Sequence, residues 1–293
     1  MTRLPQRPIL NADDYAMTGG VSDAIEDLAR AGRLSATSVM TSMPVWPERA
    51  SRLRELRKQI ATGLHLNLTV GRASTASATL APKGTFPTLP RLILASVTRR
   101  LDSTDVRTEI AHQLDLFERH LGFPPDHIDG HQHVHTLPVI RSVLIDEINR
   151  RYPARPPLFR LPDNAATRLP ARLSAGLKAG VVATLSAGTA RDLARAPIPH
   201  NTRFSGFSSF DIGVDYAAEI DRELRRAEPA PGETSIVMCH PGFPDDALAG
   251  LDPITTRRRQ EFEALMTMPE LPDRIWHPDR PADGSAIDWS HHP

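Results

Sequence analysis

Pro8-Ile9-Leu10-Asn11-Ala12, followed at once by Asp13-Asp14, is a short apolar run that ends on two adjacent carboxylates. The run reads as a buried strand. After the break at Thr18-Gly19-Gly20, Val21, Ala24, Ile25, Leu28 and Ala29 recur at helical spacing until Gly32. A β-leaning run over Ala36 to Met43 precedes a helical pattern from about Pro47 to Arg57, and a third strand is expected over Gly63 to Thr69. Strand, helix, strand, helix is the grammar of parallel strands joined by right-handed crossovers, which allows a barrel or an open doubly wound sheet.

Later segments continue the alternation. Val106, Ile110, Leu114, Phe117 and Leu121 form one stripe of a helix capped by Ser103 or Thr104 and stopped by Gly122. His127-Ile128-Asp129 leads into a histidine-rich loop, a helix over Pro138 to Arg151 and a strand near Leu158 to Leu161. Tyr216 to Ala227 reads as helix, Thr234 to Cys239 as strand and Thr255 to Met268 as helix. Residues 72 to 100, rich in Ser, Thr, Ala and Pro, have no clean period and read as an excursion at the substrate end. The apolar stretch Ala179 to Ala190 is too short to cross a bilayer and is expected to be a buried helix. One domain over residues 1–270 and a surface tail over 271–293 are expected.

Where the polar residues fall separates the two architectures. Asp13-Asp14, His65, the loop after Asp129, and His240 all lie at C-terminal ends of expected strands, where a β/α barrel gathers its chemistry. No glycine-rich phosphate loop follows the first strand. The expected fold is an irregular, TIM-like β/α barrel.

The 293 residues, 40% hydrophobic and 24% charged, have an ordinary globular composition. Thirty-five basic side chains balance 35 acidic ones, so no net field favours nucleic acid, and the pattern fits a neutral substrate. The triplet Arg257-Arg258-Arg259 reads as ordinary solvated surface. Cys239, the single cysteine, excludes an internal disulfide, and with no apolar leader in Met1 to Leu10 a cytoplasmic protein is expected.

Each polar motif has a bland and a chemical reading. Two carboxylates at the end of a buried strand are costly without a cation, yet one aspartate capping the next helix and one in solvent would also satisfy them. In Gly63-Leu64-His65-Leu66-Asn67-Leu68-Thr69 the two-residue period separates three leucines from His65, Asn67 and Thr69, so the polar face points to a site or to solvent. Asp129-Gly130-His131-Gln132-His133-Val134-His135 packs three alternate histidines beside an aspartate, a dense set of neutral nitrogen donors of which not all can share one ion. Met238-Cys239-His240-Pro241-Gly242 puts a histidine on a strand exit, while Cys239 itself reads as a packing residue.

Taken together, Asn11-Ala12-Asp13-Asp14, Gly63-Leu64-His65, Asp129-Gly130-His131-Gln132-His133-Val134-His135 and Cys239-His240-Pro241-Gly242 resemble the YdjC-like carbohydrate deacetylases, a group that includes chitooligosaccharide and hopanoid-associated deacetylases. The resemblance spans roughly residues 8 to 270. It implies that Asp14, His65 and His131 hold one divalent metal, that Asp13 is the general base and that His240 is the proton donor. His133 and His135 would then support the centre or face substrate, and Tyr15 stands where a phenylalanine is usual. An aspartate with two histidines suits zinc, with magnesium, cobalt or nickel compatible. The implied reaction is hydrolysis of the N-acetyl amide of an amino sugar, releasing acetate. Trp46, Trp276 and Trp289 lie outside every motif, so a short oligosaccharide, a monosaccharide conjugate or a glycolipid fits better than a long polysaccharide. The resemblance also implies a homodimer. The competing readings are a metal-dependent amidohydrolase or phosphoesterase, whose His-x-His pair usually follows the first strand, and a saccharide-binding barrel without catalysis.

Overall fold

The computed structural model describes residues 6–162, 187–208, 210–278 and 287–289. Among them, seven strands make one parallel sheet in the order β5-β4-β3-β2-β1-β7-β6. These are β1 (Ile9–Tyr15), β2 (Ala36–Val39), β3 (Ala61–Leu66), β4 (His127–Gly130), β5 (Leu158–Phe159), β6 (Arg203–Ser205) and β7 (Ser235–Cys239). The sheet curls into the expected irregular barrel. Its seam is made by the chain entering β6: Phe159 donates its backbone N–H to the Pro199 carbonyl at 2.7 Å, and the Asn201 side-chain amide bonds both the N–H and the carbonyl of Leu161 at 2.7 and 2.8 Å. A side-chain amide thus stands in for a rung of the ladder where two- and three-residue strands are too short to supply one.

Helices α1 (Gly19–Arg30), α2 (Trp46–Glu55), α3 (Leu89–Val97), α4 (Ser103–Leu121), α5 (Pro138–Arg151), α6 (Tyr216–Arg226) and α7 (Thr256–Thr267) accompany the strands. The apolar stripe of α4 is wholly buried, as its period requires. Its cap is Asp102, whose carboxylate accepts from the N–H groups of Thr104 at 2.7 Å and Asp105 at 3.2 Å, one position before the hydroxyls expected to serve. Gly122 ends it in the left-handed region at φ 82°. The segment 72–100 contains α3, which buries only Leu92 and Ser96, too little apolar periodicity to be read beforehand. Of the apolar stretch 179–190, residues 179–186 lie outside the described residues, and 187–190 are helical. No helix among the described residues is long and apolar enough to cross a membrane.

Ile9, Ala36, Ala61 and Leu158, which open their strands, cluster with Phe204, Ile236 and Met238 in a second, smaller apolar core. Ile287 and Trp289, at 7% and 4% exposure, complete that core, and the Trp289 indole N–H donates to the Asp126 carbonyl at 2.7 Å. Part of the segment expected to be a surface tail is therefore buried against the barrel, because the cluster leaves apolar surface that two tryptophans, Trp276 and Trp289, cover. Replacing Trp289 by alanine is expected to cost about 3–5 kcal/mol, the range for truncating a buried aromatic. Leu94→Ala, at a site 59% exposed, should change stability by no more than about 0.5 kcal/mol. Chemical denaturation of the two variants checks both.

Candidate metal centre

The centre begins with an irregularity in β1. Its register against β2 runs Ala12 to Thr37 and then Tyr15 to Val39, so three steps along β1 match two along β2. This bulge accommodates one extra residue, with Asp14 in the left-handed region at φ 70°, a conformation aspartate tolerates better than most side chains. Regular alternation would send Asp13 and Asp14 to opposite faces. With the bulge, both carboxylates reach the barrel mouth, where they are 2% and 1% exposed.

Asp14 Oδ1 lies 3.1 Å from His65 Nε2 and 2.8 Å from His131 Nδ1, and the donor atoms of these three residues all fall within 4.8 Å of one another. His65 comes from the end of β3 and His131 from the turn that follows β4. On its other nitrogen, His65 Nδ1 meets Asp129 Oδ1 at 2.6 Å and Ser38 Oγ at 3.1 Å. A carboxylate on Nδ1 holds the proton there and leaves Nε2 free to ligate, the usual support of a metal-binding histidine.

Asp13 is held differently. Both its oxygens take bonds from the Arg160 guanidinium, at 2.7 and 2.9 Å, and Oδ1 also accepts from Asn11 Nδ2 at 2.6 Å. Asp13 Oδ2 remains 4.0 Å from His65 Nε2. Arg160 also pairs with Asp129 Oδ2 at 2.9 Å. A second set of donors, Asp13, His65 and Asp129, is close enough for an ion. Arg160 already bonds both carboxylates of that set and His65 Nδ1 takes Asp129 Oδ1, whereas Asp14 Oδ1 faces only imidazoles, so the set built on Asp14 is the better cation site.

Charge points the same way. Asp13, Asp14, Asp129 and Asp252 are buried against only two guanidiniums, Arg160 and Arg258. With neutral imidazoles the group carries a surplus of negative charge that a divalent cation would offset. Burial alone would raise the Asp14 pKa, but His131 and Arg258 outweigh it and hold the carboxyl well below its usual range. For His65 burial acts downward, yet Asp129 and Asp13 prevail and push the imidazole up to about 10. Without an ion, a proton takes the place of positive charge at Nε2.

The remaining histidines separate into distinct places. His135 Nε2 bonds the Arg160 carbonyl at 2.8 Å, and burial together with Arg160 pushes its pKa down to about 4. The His133 ring packs against Phe204 and Phe207 at 5.8 and 5.5 Å between centroids. Neither belongs to a donor set. His240 follows β7, whose register pairs Cys239 with Ala12, so His240 and Asp13 leave neighbouring strands at one level. Its backbone N–H donates to Glu261 Oε2 at 2.6 Å and its ring sits edge-on to Phe210 at 5.3 Å. Cys239 is buried and donates to the Asn11 carbonyl, a packing role, and burial pushes its thiol pKa far up.

Two expectations need correction. Asn67 does not face the centre: its side chain closes the turn after β3, accepting from Thr69 and Val70 N–H and donating to the Val70 carbonyl. Arg257 and Arg258 are 1% and 0% exposed, not solvated, because each meets a buried carboxylate, Glu219 and Asp14 respectively. Arg160 was missed altogether, although a lone arginine inside the apolar run Leu158-Phe159-Arg160-Leu161 is the kind of buried charge that demands a partner.

The chain is similar to several carbohydrate deacetylases. The chain is 30% identical over 262 residues to a carbohydrate deacetylase of Mus musculus, covering 83% of this chain and 80% of that protein. It is 29% identical over 275 residues to a carbohydrate deacetylase of Geobacillus stearothermophilus, covering 92% of each. A chitooligosaccharide deacetylase of Klebsiella pneumoniae (strain 342) is 26% identical over 244 residues, covering 83% of this chain and 84% of that one. The fold matches a crystal structure from Enterococcus faecalis V583, a proposed cellobiose-phosphate cleavage protein, with a TM-score of 0.67 at 19% identity over 96% of each chain. The model of the YdjC-like protein family matches residues 7–274, and the chain belongs to that family.

Proposed function

We propose that this chain is a metal-dependent hydrolase that removes the acetyl group from an N-acetylated amino sugar, in a short oligosaccharide or a glycolipid. The observation that carries the reading is the convergence of Asp14, His65 and His131, with His65 braced by Asp129, beside an aspartate held by Arg160. The similarity to carbohydrate and chitooligosaccharide deacetylases supplies the substrate class.

Asp14, His65 and His131 would hold the ion, which when bound polarises the amide carbonyl and makes water a better nucleophile. Asp13 is the general base. Its Oδ1 is taken up by Asn11 and Arg160, whereas Oδ2 meets only one arginine nitrogen and lies nearer His65, so Oδ2 is the atom that accepts the proton from water. Arg160 grips the base through two parallel bonds and fixes its plane. As the water oxygen bonds to the acetyl carbon and the C–N bond breaks, the leaving nitrogen takes a proton from His240, and acetate and a free amine depart. Glu261 and Phe210 fix the backbone and ring of that donor.

Acetate release from N-acetylglucosamine oligomers and glycolipid conjugates, using metal-stripped protein resupplied with zinc, magnesium, cobalt or nickel, is expected to need an added ion. Absence of release across the panel with an ion bound would return the reaction class to doubt. Asp13→Asn is expected to retain the ion and lose activity by about 10²–10⁴-fold, while His131→Ala loses both. Equal loss of metal in the two variants would argue against Asp13 as base.

The raised pKa of His65 also sets a pH dependence. In the ion-free protein the charged imidazole contributes stability that is fully present below about pH 6.5 and is lost as pH rises toward about 10. Ligation requires the neutral ring, so an ion competes with that proton. Between pH 7 and 9, zinc binding is expected to release a proton and to tighten by about tenfold per pH unit. Calorimetry in buffers of different ionisation enthalpy measures this, and a binding heat independent of the buffer would refute it.

A further inference from the structure

We propose that Arg258, braced by Asp252, is a positioning residue that keeps Asp14 a one-oxygen ligand and so sets both the strength and the selectivity of the centre for cations. The proposal rests on the metal reading above and concerns a residue outside the donor set.

Arg258 Nη2 donates to Asp14 Oδ2 at 2.6 Å and to Asp252 Oδ2 at 2.5 Å. The oxygen it takes is the one turned away from His65 and His131, which both approach Oδ1. The arginine is anchored at its Nε, its Nη2 and its backbone, while Nη1 has no hydrogen-bond partner among the described residues. Its Nε donates to the Ile254 carbonyl at 3.1 Å, and its own carbonyl accepts from Gly242 N–H at 3.1 Å. A Cβ on Gly242 would lie 3.3 Å from the arginine Cδ, so the stem is wedged against the turn after His240. Asp252 is fixed in turn, since its Oδ1 accepts from Ile254 N–H at 2.9 Å and only Oδ2 faces the arginine.

A permanent cation beside a cation site is costly to that site's affinity, because arginine cannot shed its proton. What it provides is denticity. With Oδ2 occupied, Asp14 offers one oxygen, which suits a small ion content with an oxygen and two imidazoles. Ions that prefer oxygen ligands gain most from a carboxylate with two free oxygens, and this arrangement denies it to them. Asp252 moderates the effect by drawing part of the guanidinium charge onto itself. Weakening Asp252 and removing Arg258 should therefore move affinity in opposite directions, whereas a purely structural brace would weaken binding in both cases.

The test is the dissociation constant of metal-stripped full-length protein for Zn²⁺ and Mn²⁺, each alone, by chelator competition and calorimetry. Arg258→Gln is expected to bind Mn²⁺ about tenfold more tightly, with a smaller change for Zn²⁺, so that the preference moves toward Mn²⁺. Asp252→Asn leaves the full charge of Arg258 on Asp14 and is expected to weaken both ions about three- to tenfold. Equal weakening of both ions in Arg258→Gln, or unchanged affinities in Asp252→Asn, overturns the proposal. If circular dichroism shows that Arg258→Gln does not fold, Arg258→Met, which keeps the length of the stem without its charge, takes its place: a preference moved toward Mn²⁺ supports the proposal, and equal weakening of both ions overturns it. Wild-type protein that takes up neither ion overturns the metal reading as well, whereas wild-type binding with wrongly directed variants overturns only this proposal.

Discussion

Two adjacent carboxylates buried at the end of the first strand are the constraint around which the barrel is arranged. Like charges about 4 Å apart repel by roughly 4 kcal/mol at an effective dielectric of 20, and desolvation adds several kcal/mol for each ion. The bulge in β1 is what creates this difficulty, since regular alternation would have sent one of the pair away. Compensation arrives from two sides: Arg160 follows the edge strand β5 and reaches Asp13, and Arg258 reaches Asp14 from α7. The pairs are separated by 147 and 244 residues, so satisfying β1 brings together parts of the chain that no local preference would join.

The two arginines solve the same electrostatic problem with different geometry, and the difference gives adjacent aspartates different chemistry. Arg160 uses its fork on both oxygens of Asp13, which fixes the plane of the carboxylate. Arg258 spends one nitrogen on a single oxygen of Asp14 and shares it with Asp252. One carboxylate is thereby held on both oxygens by a single guanidinium, and the other presents its second oxygen to two imidazoles. Two identical side chains at consecutive positions diverge because their partners do.

Much of this was legible in the sequence, for reasons that also explain what was not. The apolar stripe of α4, the proline at the start of α5 and the buried run of β1 are local signals, and each element lies where its period placed it. The gathering of Asp13, Asp14, His65, His131 and His240 at strand ends was legible because parallel barrels leave few other places for polar residues. The bulge was not, since nothing in Ala12-Asp13-Asp14-Tyr15 distinguishes a left-handed aspartate from an extended one. Arg257 and Arg258 were misread for a related reason. In a run of three arginines only tertiary contacts decide which are solvated, and Arg259, with 53% of its side chain exposed, is. Asn201 gave no warning because replacing a strand rung with a side-chain amide has no composition signature.

The histidine cluster shows how local strain delivers a repeated residue type to separate surroundings. Three histidines at alternate positions in an extended strand would share one face. Here Gln132 and His133 instead take left-handed conformations at φ 53° and 58°, each costing about 1–3 kcal/mol. The chain turns tightly after β4, so that His131 meets Asp14, His133 is delivered to Phe204 and Phe207, and His135 comes back to the Arg160 carbonyl. That last bond matters most. It ties the segment carrying a candidate ligand, His131, to the residue that grips the candidate base, Asp13, through a histidine kept neutral by burial and by Arg160 itself. A charged ring at that position would repel the guanidinium it supports, so the burial that excludes His135 from ligation is also what lets it hold the two halves of the centre in register.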